Sequence, residues 1–196
     1  MMSGVQSNHV APVRVRLREA TRASHDQVER ELRLLDGSLT PHRYREVLAR
    51  FYGYYAVLEP ALDAWHRSEA LLDWPDRRKL HLLAADLREL GGPDPADLPR
   101  CPAVPAICSS ADALGALYVV EGATLGGSVI ARRLRAQGFP PSALSFHSCY
   151  GSDVGRRWRQ WAEVTTAWVG EERQRSDAVV AAARTVFAQL GGWLAA

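Results

Sequence analysis

From Pro41 to Trp65 the residues Tyr44, Val47, Leu48, Phe51, Tyr55, Leu58, Leu62 and Trp65 recur at three- and four-residue steps. That spacing gathers them on one face of an α-helix and would scatter them over both faces of a strand. The start of the helix is marked as well: Thr40 can cap its free amides, Pro41 suits the first helical position and Leu39 can pack back on Tyr44. Pro60 interrupts the hydrogen-bond ladder, yet the apolar stripe continues on both sides of it, so a bend is expected there and not an end.

The same period governs most of the chain. Further helices are expected at about 13–35, 76–90, 110–137, 154–169 and 171–194, with residues 91–107 as a proline-rich connector. No alternating, β-branched run bounded by turn residues competes with them. A chain of 196 residues with 47% hydrophobic content buries one sizeable core and leaves little for a second. The expected fold is an all-α, single-domain helical bundle over residues 13–196, preceded by a mobile tail at residues 1–12.

Composition removes several function classes. Lys and Arg number 24 against 22 Asp and Glu, a net charge of +2, far from the concentrated basic face that nucleic acid requires. Apolar runs such as Leu114 to Val120 are much shorter than the roughly 20 residues of a membrane span, and no apolar leader opens the chain. No membrane partner and a cytoplasmic location are therefore expected. Cys101, Cys108 and Cys149 are odd in number and lack Cys-x-x-Cys spacing, so they read as reduced structural thiols.

On the first helix, Leu17, Thr21, His25, Val28 and Leu32 project into an arc of about 80° at 100° per residue, which places an imidazole inside a buried stripe. Arg18 and Glu29 border it. Neutral imidazole is a common metal ligand, and a carboxylate at its other nitrogen would fix the tautomer; a core-edge histidine bonded to a carbonyl is the plainer reading. The remaining histidines form no His-x-x-x-His or Glu-x-x-His pair, so a multi-ligand zinc or di-iron centre is poorly supported. A single protein ligand suits haem, whose porphyrin supplies four donors.

The segment Ala111 to Arg135 is helical by pattern but carries Gly115, Gly122, Gly126 and Gly127 in its interior. Together they forgo roughly 3 to 4 kcal/mol of helix propensity. Gly115, Gly122 and Gly126 project within about 40° of one another, a side-chain-free groove along one face. Either Gly122 and Gly126 let another helix approach closely, or the groove admits a flat ligand with the Tyr118 hydroxyl at its rim.

The stretches LREATRASHDQVE (Leu17 to Glu29) and LYVVEGATLGGSVI (Leu117 to Ile130) resemble, in that order, the proximal and distal helices of the haem oxygenases, in particular the bacterial enzymes that make biliverdin. VGRRWRQW, from Val154 to Trp161, is similar to a later helix of the family in a less specific way. The resemblance implies His25 as the iron ligand and Glu29 as the group that steadies it. It implies Arg18, where a lysine is common, and Tyr118 as anchors for the propionates, and Gly122 and Gly126 as the backbone that contacts the haem face and leaves room for dioxygen. Ala123 departs from the pattern, being apolar where many relatives carry a polar residue of the distal water network, which leaves any proton-delivery role of the adjacent Thr124 weakly founded.

The implied activity is O₂-dependent opening of haem, at once cofactor and substrate, to biliverdin, CO and ferrous iron. Electrons would come from an external donor, a ferredoxin-like protein or a flavoprotein reductase, because the chain has no flavin or nicotinamide fingerprint. Arg132, Arg133, Arg135, Arg156, Arg157 and Arg159 could dock it or could be a solvated face. The alternative function is a haem carrier or sensor that uses the same pocket without turnover. The meso carbon attacked and the oligomeric state are left open.

Overall fold

The computed structural model describes residues 11–37 and 39–196; apart from Ala11 and Pro12, the expected tail lies outside the described residues. Among the described residues six α-helices follow one another: α1 (Val13–Leu32), α2 (Pro41–Ser68), α3 (Leu80–Glu89), α4 (Ser110–Ala136), α5 (Val154–Val169) and α6 (Arg173–Ala195). Short 3₁₀ turns join some of them, and no strand occurs among the described residues.

The start of α2 is as its sequence indicates, with the Thr40 hydroxyl accepting the Arg43 N–H at 3.1 Å. The helix runs on through Pro60 to Ser68, with Leu58 and Leu62 both fully buried. α1 ends earlier than its pattern suggests. Arg33 adopts a left-handed conformation (φ 50°) and its N–H closes on the Glu29 carbonyl, turning the chain so that Leu34 enters the core.

The helix expected over 76–90 is two pieces, a 3₁₀ turn at Trp74–Arg77 and α3. The break has a tertiary cause. Glu59 of α2 accepts the N–H groups of Lys79 (2.6 Å) and Leu80 (2.9 Å), capping α3 from across the core. No local signal announces a cap supplied by a residue twenty positions away.

α6 packs along both α1 and α4, and α4 also packs on α5. This arrangement explains two of the four glycines in α4. A Cβ on Gly115 would lie 2.6 Å from the Ala182 Cβ and 2.8 Å from the Ala183 nitrogen, so this glycine is where α4 and α6 touch backbone to backbone. A Cβ on Gly127 would lie 2.4 Å from the His147 carbonyl oxygen, which seats the 144–150 segment against α4. Gly115 therefore does not extend the groove predicted from projection alone; α6 covers it.

By length and composition α4 and α6 would suffice to cross a bilayer, a point that inspection for unbroken apolar runs did not bring out. About half of each apolar window is buried in the fold, where the two helices face each other and the common core.

Candidate functional site

Because α6 separates α1 from α4 along much of their length, a cleft opens between those two helices with α6 as its floor. Its volume is about 540 Å³, within the usual range of small-molecule sites. Val28 and Leu32 of α1, Trp158 of α5, and Phe187 and Leu190 of α6 supply apolar walls, while the inner end is lined by Phe51, Tyr55, Phe146 and His147. Val15 and Leu125 are large apolar residues exposed to 44% and 42%, and both line this cleft. Their exposure is thus part of a concave surface and not a scattered surface feature.

His25 projects from α1 into the cleft. It is not buried in the stripe as the helical projection implied: its side chain is 53% exposed, with its ring edge-on to Phe187 at 6.1 Å. The stripe is flanked by a cavity at this turn, so a residue on the inward arc meets open space where its neighbours Leu17 and Thr21 meet protein. Glu29 Oε1 stands 3.8 Å from His25 Nδ1, near enough to orient the ring electrostatically and too far for a direct hydrogen bond. Nε2 is the ring nitrogen left for another partner.

Facing His25 across the cleft are Gly122, Ala123 and Gly126 of α4. A Cβ on Gly126 would meet nothing within 4 Å, and one on Gly122 would meet only the Trp158 ring at 3.7 Å, ordinary contact. Among the described residues no backbone closes on either position, so the close-approach explanation fails for these two glycines; it holds for Gly115 and Gly127. Tyr118 stands one turn earlier, half-buried among Trp158, Trp161 and Phe187. Its hydroxyl is 3.3 Å from the Thr21 hydroxyl, which donates to the Leu17 carbonyl at 2.8 Å, and this pair ties α4 to α1. Arg18 and, unforeseen from sequence, Arg14 line the rim with exposed guanidinium groups.

Behind α4 lies a buried ionic cluster that the sequence pattern did not reveal. Glu121, 1% exposed, receives Arg77 Nη1 and Lys79 Nζ, each at 2.6 Å, and the Tyr150 hydroxyl at 3.0 Å. Arg77 also bonds Asp73 (2.7 Å) and Gln160 (2.9 Å), and Arg157 closes the network on Asp73. Burial would raise the Asp73 carboxyl, but the guanidinium groups of Arg77 and Arg157 prevail and hold it below the usual carboxylate range. Glu121→Gln would leave two enclosed cations against a neutral amide, and a loss of about 3–5 kcal/mol is expected in urea unfolding.

His147 contributes a second electrostatic consequence. Burial pushes its imidazole down from 6.5 to about 4. As pH falls below 6.5 the unfolded chain takes up a proton that the folded chain refuses until about 4, so stability is full above that window and declines through it on acidification. Between pH 7 and pH 5 the protein should lose roughly 2 kcal/mol more than its His147→Phe variant, measured by urea midpoints at the two values.

Among the thiols, Cys101 and Cys149 are buried and unpaired as expected, but Cys108 is exposed. Of the two arginine runs, Arg157 is committed to Asp73 and stacks over Tyr150 at 5.3 Å, which removes it from any docking face.

The structure is an all-helical bundle with a cleft between two helices, His25 on one wall, the uncovered backbone of Gly122 and Gly126 on the other and arginines at the rim. The comparisons identify its family. The haem oxygenase family model matches residues 11–196, and the chain is 35% identical over 161 residues to a haem oxygenase of Xanthomonas campestris pv. campestris (strain 8004), covering 82% of this chain and 93% of that one. The chain belongs to the haem oxygenase family, whose members are enzymes of haem degradation. The fold agrees: the NO- and CO-bound haem oxygenase of Neisseria meningitidis superposes with a TM-score of 0.77 at 17% identity, over 94% of this chain and 91% of the other. A haem complex of haem oxygenase-1 from the cyanobacterium Synechocystis gives 0.71 at 15% identity, over 94% and 91%.

Proposed function

We propose that the cleft between α1 and α4 binds haem and that the chain opens the ring with dioxygen, yielding biliverdin, CO and ferrous iron. The observation that carries this reading is the pairing of His25 with the uncovered backbone of Gly122 and Gly126 across one cleft. Bound there, haem supplies both the iron at which dioxygen is reduced and the carbon skeleton that is cut.

The chain's own residues do the rest. His25 would hold the iron, with Nε2 as the ring nitrogen not facing Glu29 and the Glu29 carboxylate favouring the tautomer protonated at Nδ1; a neutral imidazole gives less electron push toward O–O cleavage than a thiolate would. Arg14 and Arg18 suit the two propionates, since guanidinium pairs with carboxylate through parallel hydrogen bonds. Tyr118 supplies a hydroxyl beside them. Gly122, Ala123 and Gly126 present no acid or base to the opposite side of the cleft and leave room there, so proton delivery would fall to water. Electrons arrive from an external ferredoxin-like or flavoprotein donor, for which Arg132, Arg133, Arg135, Arg156 and Arg159 remain exposed.

The test is turnover of the purified protein with haem, oxygen and a reducing system, followed by chromatography of the product and trapping of CO. Loss of the Soret band with one biliverdin isomer is expected. A long-lived oxygenated spectrum with the Soret band intact would instead identify a carrier.

A further inference from the structure

Near the arginine end of the cleft two hydroxyl groups have both of their hydrogens committed. Thr21 of α1 is 2% exposed, and its Oγ1 lies 2.8 Å from the Leu17 carbonyl oxygen and 3.3 Å from the Tyr118 hydroxyl. A threonine hydroxyl has one hydrogen and two lone pairs. The shorter contact, to a carbonyl that can only accept, takes that hydrogen. The longer contact is then closed by the hydrogen of Tyr118, with Tyr118 donating and Thr21 accepting.

Packing does not ask for a hydroxyl at position 21. Bonding back to the carbonyl four residues earlier adds nothing to helix stability, and valine has nearly the same outline. The Tyr118 ring is wedged among Trp158 (5.8 Å), Trp161 (5.5 Å) and Phe187 (6.4 Å), which holds its oxygen in place. The phenol hydrogen still turns about its C–O bond. Its contact with Thr21, at 3.3 Å, is longer than the roughly 2.5–3.0 Å usual between hydroxyl oxygens, so the hold is weak.

Tyr118 also lines the cleft, as do Arg14 and Arg18 of α1, and Arg18 stands about one helical turn before Thr21. Guanidinium groups at this end favour a ligand that brings carboxylates to it. A carboxylate accepts a hydrogen bond about twice as strongly as a neutral hydroxyl does. Thr21 and such a carboxylate therefore compete for one phenol hydrogen.

Resting on the reading of the cleft as a haem site, we infer that Thr21 is a positioning residue that sets haem affinity through Tyr118. It takes the phenol hydrogen in the haem-free protein and yields it to a haem carboxylate on binding. A contact made only before binding favours the haem-free state and weakens affinity by the same factor, here about threefold to tenfold for a neutral hydroxyl pair. Biliverdin keeps both carboxylates, so return of the hydrogen to Thr21 eases its departure.

The experiment titrates haem into the whole chain, unaltered and as Thr21→Val, Thr21→Ser and Tyr118→Phe, with Thr21→Val repeated in the Tyr118→Phe background. Thr21→Val should bind haem about threefold to tenfold more tightly and release biliverdin more slowly by a similar factor. Thr21→Ser should match the unaltered protein, and Thr21→Val should change nothing once Tyr118 is phenylalanine. Thr21→Ala removes the same hydroxyl with a better helix former and takes the place of valine if urea unfolding shows that variant to be poorly folded. A folded Thr21→Val or Thr21→Ala protein with unchanged or weaker haem affinity, or an equal gain in the Tyr118→Phe background, overturns the inference and leaves the haem site standing. No haem binding by the unaltered protein overturns both.

Discussion

Replacing His25 by alanine is expected to leave a folded protein that has lost its normal iron ligation, with ring opening reduced by about two orders of magnitude or more, on the scale of 1.36 kcal/mol per tenfold change. The fold should tolerate the change because the side chain is 53% exposed and sits beside one edge of Phe187, and because alanine is the better helix former. Ferric and carbonyl spectra of the haem complex measure the ligation and urea unfolding measures the fold. Spectra like those of the unaltered protein would reject His25 as the ligand, whereas supplying imidazole in solution should recover part of the activity if the role is ligation.

The second large effect concerns two adjacent glycines whose substitutions should fail in opposite ways. At Gly126 the space beyond the backbone is open, so Gly126→Leu places its branched side chain in the cleft. Folding should be retained or slightly improved, by up to about 1 kcal/mol of helix propensity, while haem or oxygen binding is blocked. At Gly127 even a methyl group would sit 2.4 Å from the His147 carbonyl oxygen. Gly127→Ala must push the 144–150 segment off α4, and a destabilisation of about 1–3 kcal/mol is expected. Thermal unfolding paired with haem titration separates the two. A Gly126→Leu variant that unfolds readily, yet takes up haem and oxygen normally while folded, would show that the contact near Gly126 is structural.

The helices were legible because their signal is local. A three- to four-residue apolar rhythm and a threonine–proline start are properties of neighbouring residues, and α2 and α5 begin where those signals lie. The motifs around His25 and Gly122 to Gly126 were legible too, since the residues that line one wall of the cleft are close together in the chain. The helical projection misjudged two positions for a single reason: it reports which way a residue points and not what it meets. His25 points inward at a turn flanked by a cavity, and Gly115 points along the groove at a turn covered by α6.

What stayed hidden depends on residues far apart in sequence. The Glu59 carboxylate that starts α3, the enclosure of Glu121 by Arg77 and Lys79, and the buried Asp86 carboxylate of α3 that accepts the Ser145 and Phe146 N–H groups join groups separated by twenty to sixty positions. No periodicity links such partners, because their encounter is set by how whole helices cross. The amino-acid order by itself determined that the chain would be helical and would carry a histidine and a glycine-rich face. Only the packing of α6 against both α1 and α4 decided that these lie across one cleft, because a gap between helices is a property of their separation and of no single residue.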